Sequence, residues 1–257
     1  MTPSPQTNFL YLADCLPKKH PAFYQHFTTA LNQQDIPFAL LPGTKDIWAV
    51  DYMPIQTAIN RFIRFTYNPS YLQSKKYQST ISDTDSICKA IQIETITSTI
   101  ILDGGNLIRS NNKAILTNRI FSENPAMDKQ QLIRKLQELL SIENIYIIPA
   151  QPYDFTGHAD GMVRFLNEHT LLINDYSQES QSFQKAFNKA IEQTGLETVK
   201  IPNEVYHNKS KHQANGCYIN YLQINNRIFL PIYNNPAYAN HQLPGNHQRS
   251  TADFNRS

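Results

Sequence analysis

At 257 residues with 40% hydrophobic side chains, the sequence is long enough to bury a substantial core as one large domain or two small ones. Its 23 basic and 21 acidic residues leave a formal charge of only +2 and gather into no stripe, which argues against nucleic-acid or membrane-surface binding. No apolar run approaches the roughly 18 residues that span a bilayer, and the first residues lack the pattern of a secretory signal, so a cytoplasmic location is the expectation.

In chain order, Phe23, Phe27, Ala30 and Leu31 recur at helical spacing and predict an amphipathic helix over 21–33, followed by a strand over 36–41. A β-hairpin, DYMPIQTAINRFIRFTYN, begins at Asp51 and turns at Asn60. The next, GGNLIRSNNKAILTNRIF from Gly104, turns at Asn112. It leads into a helix over 126–140, with Leu132, Ile133, Leu136, Leu139 and Leu140 on one face, and a strand over 145–149. A third hairpin, ADGMVRFLNEHTLLINDYS from Ala159, turns at Glu168. Its helix, over 180–194, carries Phe183, Ala186, Phe187, Ala190 and Ile191 and ends before Gly195; a strand over 197–201 follows. The last hairpin, ANGCYINYLQINNRIFLPIYNN from Ala214, turns at Asn226.

The four turn residues are separated by 52, 56 and 58 positions, so one unit of strand, strand, helix and strand is used repeatedly. Such a unit cannot cover its apolar faces alone and must stack or close around an axis. Closure is the expectation, because the polar residues cluster at the same end of each hairpin and a circular array brings those ends together. An ordinary α/β sheet with coincidental spacing is the alternative.

Several segments carry chemistry. In FTGHADGMVRF, His158 and Asp160 stand two apart at the entry of a predicted strand, where alternation sends both to one face; an imidazole beside a carboxylate can serve as general acid and base, or as a structural or metal-binding pair. In DIWAVDYMPIQ, Asp51 and Trp48 offer a carboxylate and an aromatic wall, which suit a flat cation, although Asp51 could equally cap a turn and Trp48 pack in the core. DGGN, from Asp103 to Asn106, allows close approach of backbone to a ligand and is equally a tight turn. The spacing of His207, His212 and Cys217 suits no common zinc pattern, so that stretch reads as loop and no metal is expected. The three cysteines, Cys15, Cys88 and Cys217, sit at unrelated spacings and read as free thiols.

Taken in order and spacing, DIWAVDYMPIQ, DGGN, GHADGMVRF and NGCYINYLQINN resemble the family of agmatine deiminases and Porphyromonas-type peptidylarginine deiminases, within the guanidine-modifying superfamily. The resemblance runs from about residue 8 to Tyr233, and it implies the α/β pentein fold, a five-bladed propeller of ββαβ modules with pseudo-fivefold symmetry. It also implies that two aspartates, Asp51 and Asp160, grip a substrate guanidinium, that His158 handles protons, that Trp48 walls the pocket and that Asn220 lies on the substrate side. The implied reaction converts agmatine to N-carbamoylputrescine and ammonia, or acts likewise on an arginine-type substrate. That would place the chain in putrescine biosynthesis, with no cofactor and with homo-oligomerisation allowed.

Two departures from the family pattern accompany this. Val50 stands where relatives usually carry Arg or a polar residue before the first aspartate. The family's nucleophilic cysteine follows a glycine-rich segment that has no counterpart here, and by the repeat a fifth hairpin would turn at roughly 280, one period of about 55 past Asn226. Cys217 belongs to the fourth hairpin and is expected to be a packed thiol, with Cys15 and Cys88 still less suited to attack. Residues 1–233 are therefore read as one deiminase-like domain whose last module is incomplete, and 234–257 as an atypical, disordered tail. An incomplete last module would expose apolar surface and favour self-association. A non-catalytic guanidine-binding relative is the alternative function, and an amidinotransferase a more distant one.

Overall fold

The computed structural model describes residues 8–210 and 213–233; His212 and the 234–257 tail lie outside the described residues. The chain begins with β1 (Leu10–Ala13), α1 (Leu16–Lys19), α2 (Pro21–Gln33) and β2 (Phe38–Leu41). It continues through α3 (Ala49–Tyr52), β3 (Ile55–Ala58), β4 (Arg61–Thr66), α4 (Lys75–Gln78), α5 (Thr84–Ala90) and β5 (Ile96–Ile101). Next come β6 (Ile108–Ser110), β7 (Lys113–Thr117), α6 (Arg119–Glu123), α7 (Lys129–Leu140) and β8 (Asn144–Ile148). The last stretch holds β9 (Val163–Phe165), β10 (Thr170–Asn174), α8 (Gln181–Glu192), β11 (Glu197–Ile201), β12 (Leu222–Ile224) and β13 (Arg227–Phe229).

This is a mixed α/β fold of small separate sheets. The three middle sheets, β3-β4-β5, β6-β7-β8 and β9-β10-β11, share one wiring: an antiparallel hairpin whose second strand pairs parallel with the strand that follows the helix. The parallel partner is reachable only because a helix carries the chain back along the sheet. Two smaller sheets flank them, the parallel pair β1-β2 and the antiparallel pair β12-β13.

Local chemistry accounts for the boundaries. Three hairpins turn through residues that adopt the left-handed conformation, Asn60 (φ 58°), Asn111 (φ 23°) and Asn225 (φ 51°), and asparagine tolerates that region better than most residues. Asp128 caps α7 by accepting from the backbone N–H of Gln130 and Gln131, each at 3.0 Å, and Ser180 caps α8 by accepting from Phe183. The predicted helix over 126–140 thus starts three residues later than its apolar pattern suggests, at the first position past its cap.

Helices α5, α7 and α8 each pack apolar side chains on the unit before their own. Leu132, Leu136 and Leu140 of α7 lie against Ile63 and Phe65 of β4 and Ile100 of β5. Phe183, Phe187 and Ile191 of α8 share a cluster with Ile115 of β7 and Ile148 of β8. Ile87 of α5 meets Leu41 of β2. The first helix follows the same rule with the last hairpin, since Phe27 and Leu31 of α2 pack with Leu222, Ile224 and Phe229 of β12 and β13. Hairpins of adjacent units are also stitched by polar contacts: Arg109 donates to the Gln56 carbonyl at 2.6 Å, and Lys113 to the Glu168 carbonyl at 3.1 Å. Successive hairpins are thereby held side by side, which sets the spacing of the loops that enter them.

Leu31 is fully buried where the first helix meets the last hairpin. Leu31→Ala should cost about 2–5 kcal/mol of stability, read as a fall in the urea midpoint; a loss well under 1 kcal/mol would mean that this joint is loosely packed.

Candidate active site

Four loops that enter the hairpins supply the site. Asp51 sits in α3, a single helical turn immediately before β3, and its N–H donates to the Trp48 carbonyl at 3.0 Å. The DGGN segment forms a 3-10 turn over Gly104–Asn106 immediately before β6. A Cβ at Gly104 would collide with the Val50 carbonyl, so glycine lets this turn lie directly on α3. Asn106, nearly fully buried, fastens the turn to β7: its Oδ1 accepts from the Thr117 N–H at 3.0 Å and hydroxyl at 2.9 Å. The same hydroxyl reaches the Gly157 carbonyl at 2.6 Å, placing the His158 loop beside the turn.

The three charged groups singled out in the sequence come together over Gly105. A Cβ built there would lie 2.7 Å from Asp51 Oδ1, 2.7 Å from His158 Nδ1 and 3.0 Å from Asp160 Oδ2. Its backbone also serves both aspartates, with the Gly105 N–H donating to Asp51 Oδ1 at 3.1 Å and the Gly105 carbonyl accepting from Asp160 N–H at 3.0 Å. His158 and Asp160 do not reach this point by strand alternation, because β9 starts only at Val163 and both residues lie in the preceding loop. Loop hydrogen bonds place them instead; the His158 N–H is held by Asp154 Oδ2 at 3.1 Å.

His158 lies between two carboxylates. Its Nε2 is 2.9 Å from Asp103 Oδ2, and its Nδ1 is 3.5 Å from Asp51 Oδ1. Burial by itself pulls the imidazole down, but the Asp51 charge, the Asp103 hydrogen bond and the Asp160 charge outweigh it and push it up to about 9. The imidazole therefore carries its charge near neutrality, hydrogen-bonded through Nε2 to Asp103 and ion-paired through Nδ1 with Asp51. Asp51 is pushed up to about 7, by burial first and then by the charges of Asp160 and Asp103, against the pull of His158. Burial raises Asp160 as well, opposed by His158 and by a side-chain hydrogen bond from the exposed Asn220. With these groups ionised, three carboxylates face one imidazolium. The site is short of positive charge.

Trp48 is half-buried and immediately precedes α3, on the Asp51 side of the site. Cys217 lies behind Asp160, outside any strand, in a single bridge with Asn203. Its thiol is buried, 3.6 Å from the Gly161 carbonyl, and burial together with the Asp160 charge pushes it up to about 12. That is the opposite of what an attacking thiolate requires. Cys88 is buried and likewise raised, and Cys15 is half-buried at the start of α1. Among the described residues no group of His, Cys, Asp and Glu is arranged to hold a metal ion.

Two participants were not assigned from the sequence. Asp103 was legible only as part of a turn, yet it supplies the shortest contact to His158. Tyr71 donates its hydroxyl to Asp103 Oδ2 at 2.7 Å and stands edge-on to the His158 ring, with centroids 6.0 Å apart.

The sequence pattern of the Porphyromonas-type peptidyl-arginine deiminases matches residues 20–243. The chain belongs to that family. Members of the deiminase family and its neighbours are enzymes that hydrolyse C–N bonds of guanidino groups. Among solved structures, agmatine deiminase of C. jejuni superposes with a TM-score of 0.74 at 18% identity, over 98% of this chain and 89% of that one. Agmatine deiminase of Enterococcus faecalis gives 0.68 at 16% identity, over 91% and 83%. The DDAH of Pseudomonas aeruginosa, solved with citrulline, gives 0.52 at 13% identity, over 88% and 84%. No curated protein sequence matches the chain. At these identities the solved structures establish the shared fold, and the family assignment rests on the sequence pattern.

The raised imidazole ties stability to pH. A proton held more tightly in the folded state stabilises it most below the ordinary histidine value of 6.5, and this contribution fades as pH rises through about 9. The urea midpoint should therefore fall between those values. In His158→Gln this part of the decline should be absent; an equal decline in both proteins would place the titrating group elsewhere.

Proposed function

We propose that the chain deiminates a guanidino compound, converting the guanidinium and one water to a ureido group and ammonium. The observation that carries this is the convergence of Asp51, His158 and Asp160 over the bare backbone of Gly105. Paired carboxylates accept the forked N–H donors of a planar cation, and a site short of positive charge favours one. In this reading Asp51 and Asp160 orient the guanidinium, Trp48 and Asn220 border it, and His158 relays protons, taking one from the water that adds to the guanidine carbon and giving one to the ammonia that this carbon then expels. Asp103 keeps the imidazole charged and aimed. Attack on the guanidine carbon is assigned to none of the three cysteines, since the one beside the site, Cys217, is a buried thiol. Agmatine is the proposed substrate, because no cluster of basic side chains suited to a substrate carboxylate is evident in the sequence.

We also infer that the five sheets stand in a ring. The packing of α5, α7 and α8 on the preceding units, and of α2 on the last hairpin, supports that arrangement.

A second reading, a guanidine-binding protein without turnover, is favoured by the Cys217 thiol alone. Two measurements separate the readings. An added cation should return Asp51 toward its ordinary range, so agmatine binding at pH 6–7 should release protons, seen as a dependence of calorimetric heat on buffer ionisation enthalpy. Incubation with agmatine or an arginine peptide should then yield ureido product and ammonia in equal amounts, and both should be lost in Asp160→Asn. Proton-releasing binding with no product would leave the binding protein; no binding of any guanidine would end both readings.

A further inference from the structure

Tyr71 belongs to none of the motifs, yet it is the second donor to the carboxylate that orients His158. Its hydroxyl and His158 Nε2 meet the same oxygen of Asp103, at 2.7 and 2.9 Å, while Asp103 Oδ1 is buried with no hydrogen-bond partner among the described residues. A buried carboxylate held through one oxygen owes its orientation to the donors on that oxygen.

The tyrosine is itself clamped. Glu123 of α6 accepts from the Ser70 N–H at 2.8 Å and from the Ser70 hydroxyl at 2.7 Å. Arg119 joins the same carboxylate at 3.0 Å, reaches the Ser70 hydroxyl at 3.1 Å and sets its guanidinium 5.2 Å from the Tyr71 ring centre. On the other side the ring packs edge-on against Phe155, with centroids 5.2 Å apart. Besides Asp103, the hydroxyl also meets the Tyr67 side chain in a hydrogen bond.

We propose that Tyr71 is a positioning residue for the deiminase chemistry, clamped by Ser70, Glu123 and Arg119 so that its hydroxyl holds Asp103 against His158 and shares the charge that Asp103 presents to the imidazole. The proposal rests on the deiminase reading for its purpose, and on the geometry alone for its effect on His158. The groups that face His158 are Asp51 from α3, Asp103 from the turn before β6, Asp154 and Asp160 from its own loop, and Tyr71. Those facing Asp103 are His158, Tyr71, Tyr67 and Asp51.

A hydroxyl donated to Asp103 stabilises its charge most when the imidazole is neutral, because an imidazolium already offsets part of that charge. Tyr71 therefore favours release of the imidazole proton. Removing its hydroxyl should make His158 hold that proton more tightly.

The test is an NMR titration of the full chain carrying 15N-labelled histidine, with the His158 signals assigned by their loss in His158→Gln. Tyr71→Phe should raise the His158 midpoint by about half a unit, the size expected for one hydrogen bond to a carboxylate. Glu123→Gln leaves Asp103 and the hydroxyl in place but loosens the clamp, and should shift the midpoint upward by less. A midpoint that is unchanged or lowered in Tyr71→Phe overturns the proposal; should that variant not fold, an unchanged midpoint in Glu123→Gln does so. A raised midpoint in a protein that makes no ureido product would uphold the role of Tyr71 and sink the deiminase reading.

Discussion

The buried contact between His158 and its two flanking carboxylates is the interaction on which the site depends. An imidazolium inside a protein is costly unless opposite charge accompanies it, and Asp103, through a hydrogen bond, and Asp51, through an ion pair, provide that charge from separate loops. The arrangement works in the other direction as well, because two carboxylates over Gly105 and a third on the far nitrogen of the imidazole are bearable only with a cation among them. His158 supplies that cation from the protein itself. In the proposed reading a bound guanidinium would supply a second, and Asp51, pushed up to about 7, would yield a proton to make room for it.

The supporting structure is arranged to keep this cluster rigid. The DGGN turn has a task at each position: Asp103 takes the imidazole, Gly104 lies on α3, Gly105 leaves room where the charges meet, and Asn106 ties the turn to β7. None of these tasks tolerates a neighbour's substitute, since each is a contact of fixed direction. Outside them, the helices and strands serve as spacers whose apolar packing sets the distance between one loop and the next.

Most of the fold was legible in the sequence because it repeats short-range rules. Three of the hairpin turns fall on asparagines that tolerate left-handed backbone, and the long helices show their stripes at Leu132, Leu136 and Leu140 or at Phe183, Phe187 and Ile191. The stretch after the first hairpin was not legible: α4 and α5 are too short for a periodic face, and Tyr71 sits in a single turn of 3-10 helix whose sequence, PSYLQ, carries no signal. At the site, Asp51, His158 and Asp160 stood out by residue type, whereas the importance of Asp103 depends on a partner 55 positions away, which no local pattern encodes. The expectation that alternation along a strand aligns His158 with Asp160 had the right outcome through a different cause, a loop held by Asp154.

The contacts that build the site are long in sequence: Gly105 reaches Asp51 across 54 residues, and Asp103 reaches His158 across 55. One loop carries both His158 and Asp160, but the carboxylates that flank the imidazole, Asp51 and Asp103, come from the two units before it, so an isolated fragment lacks the contacts that complete the cluster. Assembly of the charges must come late in folding, after several units have docked, and topologies dominated by such distant pairings fold slowly. Until then each aspartate is an ordinary solvated acid; the unusual proton affinities belong to the completed array and appear with it.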